Sequence, residues 1–151
     1  MLRHANETIL LVEDGEAEVL LIQQAVASCA DELHLAVASD ATAALEWLAD
    51  TVKRGYSMPR LILLDLKLPK LAGLAVLRTL RMEARLKDVP IVVFSELHDP
   101  SDVVLSYQIG ANSFVKKPEN HAEFTQLLHE LTTLGWLSGK GLSHPSQSIT
   151  L

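Results

Sequence analysis

The sequence predicts a doubly wound α/β fold, a five-stranded parallel sheet with five helices. Three observations carry that reading. Five short apolar runs, at 9–12, 33–37, 61–64, 91–94 and 113–115, recur along the chain. Three of these show no polar alternation, as expected of strands covered on both faces in a parallel sheet. The segments between them are long enough for crossover helices, so that strand and helix alternate throughout.

The elements follow in order. After the first run, residues 16–29 form a helix with Val19, Ile22, Val26 and Cys29 on one face. A second helix covers roughly 41–52, and a long loop over 50–60 leads into the third strand. The third helix, roughly 73–85, carries Leu74, Leu77 and Leu80 at helical spacing, and Pro90 opens the next strand. A fourth starts after Pro100 and stops at Gly110. The fifth is the most regular, with His121, Phe124, Leu127, Leu128, Leu131 and Leu134 at i, i+3, i+4, i+7 spacing.

A chain of 151 residues, 48% hydrophobic and 21% charged, is one ordinary globular domain rather than a disordered segment. Its net charge of −6 and the lack of any long Lys/Arg run argue against direct nucleic-acid binding. Cys29 is the single cysteine, which excludes an intrachain disulfide and fits a reducing compartment. No run is long enough for a signal peptide's apolar region or a membrane span, so the expected location is the cytoplasm, with no membrane contact.

Right-handed crossovers bring every strand's C-terminal end to one edge of the sheet, where ligands of open α/β sheets bind. Strand one ends in Glu13-Asp14, strand three in Asp65 and strand four in Ser95, while strand five runs into Lys116-Lys117-Pro118. Alone, each has a plain structural explanation: a helix-start preference, a turn residue, a cap, a solvated charge. Together they place three carboxylates, a hydroxyl and an ammonium at one site. Close carboxylates repel unless a cation neutralises them. Mg²⁺ suits hard oxygen donors and commonly binds through one or two carboxylates plus phosphate oxygens. An ammonium and a hydroxyl opposite such an ion are the equipment of phosphoryl transfer, where positioning and charge neutralisation do most of the work.

Glu13-Asp14, Asp65 within Leu64-Asp65-Leu66-Lys67-Leu68-Pro69, Gly73, Ser95, Gly110-Ala111-Asn112 and Lys117-Pro118 resemble the receiver domain of two-component response regulators. The resemblance spans about Thr8 to Leu134 and implies the flavodoxin-like fold of the chemotaxis-regulator kind. The loop before strand three and the Leu134-Gly135-Trp136 ending resemble the phytochrome-associated single-domain subgroup. On this resemblance residues 1–137 are the receiver domain and 138–151 a flexible tail. Asp65 is then the phosphoacceptor for a sensor histidine kinase, of the phytochrome type if the subgroup holds. Glu13, Asp14, Asp65 and the Lys67 backbone carbonyl hold Mg²⁺, Ser95 and Lys117 hold the phosphoryl group, and Ser95 and Phe114 form the switch. Phe114 reads equally as a plain core aromatic.

The chain departs from the family at three places. Lys67 is a cation where neutral residues are common, Ala72 stands where Asp is usual, and Glu96 replaces a small residue. Glu96 is expected to slow phosphorylation by small donors. A phosphatase of the haloacid-dehalogenase kind needs a second Asp where Lys67 stands, and a flavodoxin-like cofactor carrier would meet repulsion at Asp14-Gly15-Glu16. A phosphate-independent interaction module is the alternative reading. The expectation is a switch that catalyses only its own phosphorylation and dephosphorylation and signals through the face of the fourth helix, fifth strand and fifth helix. No output domain is expected to follow. Leu134 and Trp136 either cover the monomer's own core or support a homodimer.

Overall fold

The computed structural model describes residues 7–29, 33–65, 70–95 and 100–133. Lys67, Glu96, Leu134, Trp136 and the tail from 138 lie outside them. Strands β1 (Glu7–Val12), β2 (Leu33–Ala38), β3 (Leu61–Asp65), β4 (Ile91–Ser95) and β5 (Ser113–Lys116) alternate with helices α1 (Glu16–Cys29), α2 (Ala41–Lys53), α3 (Lys70–Met82), α4 (Pro100–Ile109) and α5 (His121–Thr133). The sheet order is β2-β1-β3-β4-β5, parallel throughout. The expected doubly wound fold is therefore present.

The period of two along a strand explains the unbroken apolar runs. In β1 and β3, Ile9, Leu11, Leu61 and Leu63 point to the face covered by α1 and α5, among Ile22, Phe124 and Leu128. Their neighbours Leu10, Val12, Ile62 and Leu64 point to the other face, among Leu48, Leu77 and Leu80. Phe94 meets Phe124 edge to face at 5.6 Å on the first side, while Phe114 lies in the second cluster. Both faces are dry, so neither could carry the alternation that a one-sided sheet needs.

Helix ends differ from the sequence expectation at two places. The third helix runs from Lys70 to Met82, earlier at both ends than 73–85. It stops because Glu83 turns extended (φ −74°, ψ 116°) and its carboxylate accepts the Arg85 N–H, capping a separate 3₁₀ turn at Ala84–Leu86. The second helix continues to Lys53, so the long loop begins only at Arg54. Its end is closed by Gly55 at φ +77°, with Gly55 N–H donating to Val52 and Tyr56 N–H donating to Thr51. That pair of bonds is a Schellman stop, which a glycine makes cheaply.

The starts of α2 and α5 are capped by side chains. Asp40 accepts the Ala43 N–H at 2.8 Å. Asn120 accepts that of Glu123 at 2.9 Å, and Glu123 in turn accepts the Glu119 N–H. The second of these caps fixes the β5–α5 connection, which contains Lys117.

Candidate phosphoacceptor site

The strand ends converge as the crossover rule requires. β1 delivers Glu13 directly after Val12, β3 ends on Asp65, β4 ends on Ser95 beside Lys116 in register, and Lys117 follows β5. Glu13 is fixed through its main chain, whose N–H donates to the Ala38 carbonyl at 2.9 Å, and through Oε2, which accepts the Gly15 N–H at 2.9 Å. This grip on the turn leaves Glu13 and Asp65 buried, while Asp14 is exposed.

Lys117 Nζ donates to Asp65 Oδ2 at 2.7 Å and stands 3.8 Å from Glu13 Oε1. One ammonium thus serves two buried carboxylates. Burial, then the neighbouring Glu13 carboxylate, which accepts from Asp65 only when Asp65 is protonated, push the Asp65 carboxyl up to about 7, against the opposing pull of Lys117. Burial alone would lower Lys117, but the hydrogen bond and charge of Asp65, followed by Glu13 and Glu18, raise it. Among the described residues the site therefore sets two buried carboxylates against one cation.

A cavity of about 40 Å³ lies against Glu13, Asp14, Asp65 and Gly73. That is room for a water-sized guest. Among the described residues the buried Asp65 Oδ1 has no hydrogen-bond partner, and such an atom is in want of a cation or donor. Among the described residues no three His, Cys, Asp or Glu side chains are gathered into a ready-made metal cage. The donor set nevertheless suits a hydrated hard cation, which needs only one or two carboxylates and keeps its waters.

Of the residues expected from the sequence, Glu13, Asp65 and Lys117 are in mutual contact and Asp14 lines the same cavity. Ser95 closes the neighbouring strand, and Phe114 is buried one strand further out. The Lys67 carbonyl lies outside the described residues.

Three further residues make contacts that the sequence did not point to, Glu18 at this site and Tyr107 and Arg81 away from it. Glu18 reaches Lys117 at 3.5 Å; in sequence it is only an acid in a helix's first turn. The Tyr107 hydroxyl accepts the Phe114 N–H at 3.1 Å. Arg81 donates to the carbonyls of Leu86, Val89 and Gly110 and to Asn112 Oδ1, at 2.7, 3.0, 3.0 and 2.9 Å. Asn112 Oδ1 also accepts the Ile91 N–H. Gly110, at φ +140°, lies so near that a Cβ there would fall 2.6 Å from Arg81 Cγ. The Gly110-Ala111-Asn112 motif is thus the seat of a half-buried arginine rather than part of the acidic site.

A parallel five-stranded fold with this edge defines a class, and the match to a family model agrees. Residues 9–129 match the response regulator receiver domain, and the chain belongs to that family. Among curated proteins it is 33% identical to the response regulator Rcp1 of Synechocystis sp., over 87% of this chain and 89% of that one. Among solved structures, the Mn²⁺-bound form of Rcp1 matches with a TM-score of 0.70 and 31% identity, covering 92% of this chain and 99% of that one. The phosphorylated cyanobacterial phytochrome response regulator RcpA matches with a TM-score of 0.72 and 30% identity, covering 91% and 97%. The resemblance to the phytochrome-associated regulators is borne out at this level. Among the described residues no helix is long and apolar enough to cross a membrane.

Proposed function

We propose that this chain is a single-domain response regulator whose Asp65 takes a phosphoryl group from a sensor histidine kinase in an Mg²⁺-dependent reaction. The observation that carries this reading is the buried Asp65 carboxylate, bonded at 2.7 Å to Lys117 with its other oxygen unpartnered among the described residues, beside an acidic cavity. A structural ion pair has no use for an orphaned oxygen or for excess negative charge. A nucleophile that takes a phosphoryl group beside a bound cation would use both.

In the proposed reaction Asp65 attacks phosphorus in line with the departing group. Lys117 then holds a phosphoryl oxygen, since its Nζ already lies at the carboxylate that will carry the new bond. Ser95, at the end of β4, takes a second oxygen. Glu13, Asp14, Asp65 and the Lys67 carbonyl are the ligands assigned to Mg²⁺, whose bound charge offsets that of the phosphoryl oxygens. The metal-bound Rcp1 structure and the phosphorylated RcpA structure support both halves of this reading by similarity.

The signal is proposed to leave through α4, β5 and α5. Movement of Ser95 and Lys117 towards phosphate biases Phe114 between two packings, and phosphate shifts them only by its differential affinity. Val104 and Leu105 on α4 are exposed apolar residues on this face, 55% and 37% accessible, and suit a protein partner or a second copy. Residues 1–137 form the proposed receiver and 138–151 a tail; the kinase is of the phytochrome type, and the protein acts in the cytoplasm without binding nucleic acid directly. The test is uptake of label from a small phosphodonor or a phytochrome-type kinase with Mg²⁺ and with EDTA. Uptake that depends on Mg²⁺ supports the reading; uptake unchanged in EDTA overturns its metal step.

A further inference from the structure

Lys117 faces a carboxylate for which the phosphoacceptor reading has no role. Glu18 stands in the first turn of α1 with Oε2 3.5 Å from Lys117 Nζ. The three acids around this ammonium are not equivalent. The side chains of Glu13 and Asp65 are 0% and 1% exposed, whereas that of Glu18 is 32% exposed. Glu18 is therefore the rim acid. With Ala17, Leu21, Lys117 and Pro118 it lines an open groove of about 570 Å³ between α1 and the β5–α5 connection.

We propose that Glu18 is a positioning residue that holds Lys117 from the rim and selects among phosphodonors: it disfavours compact dianions and favours a donor that brings a positive charge to meet it. The proposal rests on the phosphoacceptor role of Asp65 and deepens it. Three physical facts support it. An ammonium has three N–H donors in one compact head, so a carboxylate on its outer side sets which way that head faces. A carboxylate within a few ångströms of the approaching phosphoryl oxygens repels them, and at a partly buried site solvent screens that repulsion only in part. A donor with a cation beside its phosphorus turns the same charge into an attraction.

Two small donors separate the effects. Acetyl phosphate is a dianion near neutral pH: an Asp65 oxygen attacks phosphorus, the bridging P–O bond breaks, and its electron pair leaves on acetate. Phosphoramidate carries an ammonium on phosphorus and one net negative charge: the P–N bond breaks, its electron pair returns to nitrogen, and ammonia leaves with the three protons it already carried. Neither step needs a further proton donor or any redox partner.

Initial rates of phosphoryl uptake would be followed by intact mass in Mg²⁺ for the full chain and for Glu18→Gln, with Glu18→Asp as the charge-conserving control. Melting curves establish that each variant folds. The expected result is that Glu18→Gln takes phosphoryl from acetyl phosphate about tenfold faster, the effect of a single nearby charge. Its phosphoramidate rate should stay unchanged or fall, the gap should narrow at high salt, and Glu18→Asp should keep the original preference. Parallel changes with both donors, or none with either, would overturn the proposal. No uptake by the unaltered chain from either donor would instead remove the phosphoacceptor reading on which it rests.

Discussion

The hydroxyl of Tyr107 accepts the backbone N–H of Phe114 at 3.1 Å, so the aromatic assigned to the switch is tied to α4 through its own main chain. β5 is an edge strand, and this bond occupies an N–H that the sheet does not use. Tyr107 also packs against the cluster that contains Phe114. Replacing the hydroxyl alone should loosen β5 while leaving the packing in place. Tyr107→Phe is expected to cost about 1 kcal/mol and to speed hydrogen exchange at the Phe114 amide several-fold. Unchanged exchange there would show that the hydroxyl does not restrain the strand.

Arg81 supports the opposite end of the sheet. It meets four backbone carbonyls and Asn112, joining α3, the approach to β4 and the α4–β5 turn. Removing its guanidinium leaves several half-buried acceptors without donors. Arg81→Met should therefore destabilise by about 3 kcal/mol, since each lost partner exposes a desolvation cost. Chemical denaturation measures this directly; a change within about 0.5 kcal/mol would place Arg81 among ordinary surface residues.

Much of this was legible in the sequence. Strands buried on both faces advertise themselves as unbroken apolar runs, and β1, β3 and β4 all do so. The site residues could be placed because each follows directly on a strand, and topology alone brings strand ends together. What depends on distance across the fold was not legible. The ion pair of Glu18 with Lys117, the bond between Tyr107 and Phe114, and the carbonyls around Arg81 have no local spacing rule. Helix ends were also hard to read. Glu83 stops α3 by a local capping bond that competes with helix continuation, and Gly55 stops α2 after the last apolar position.

The raised Asp65 pKa gives the free protein a pH signature. Native Asp65 holds its proton up to about 7, whereas an unfolded carboxyl releases it near 4. The native state thus binds more protons across that window, and stability falls as pH rises through it. Lys117, whose pKa is raised, contributes stability lost only far into the alkaline range, outside this window. In EDTA, Asp65→Asn should melt above the unaltered chain at pH 8, by about 2–4 °C for each kcal/mol recovered. The advantage should shrink towards pH 4. A variant that melts lower at pH 8 would mean that the Lys117 pair stabilises more than burial costs.

Metal should act in the opposite sense. If the acidic cavity takes a divalent cation, added Mg²⁺ stabilises the fold by mass action, by about 2.7 kcal/mol once it reaches a hundred times its dissociation constant, and the melting temperature rises with it. Asp14→Ala should blunt this response and lower phosphoryl uptake with it. Its own stability should hardly move, because Asp14 is exposed. An equal Mg²⁺ response in the variant would take Asp14 out of the ligand set.

Asp65, a buried carboxylate, is proposed to receive the phosphoryl group. The full chain and Asp65→Asn would be incubated with labelled phosphodonor and Mg²⁺, and the label mapped by peptide mass spectrometry. The unaltered chain should carry a hydroxylamine-cleavable acyl phosphate on Asp65, and the variant none. Equal label in Asp65→Asn, or a phosphoryl group mapped to Glu13, Asp14 or a hydroxyl instead, would contradict it.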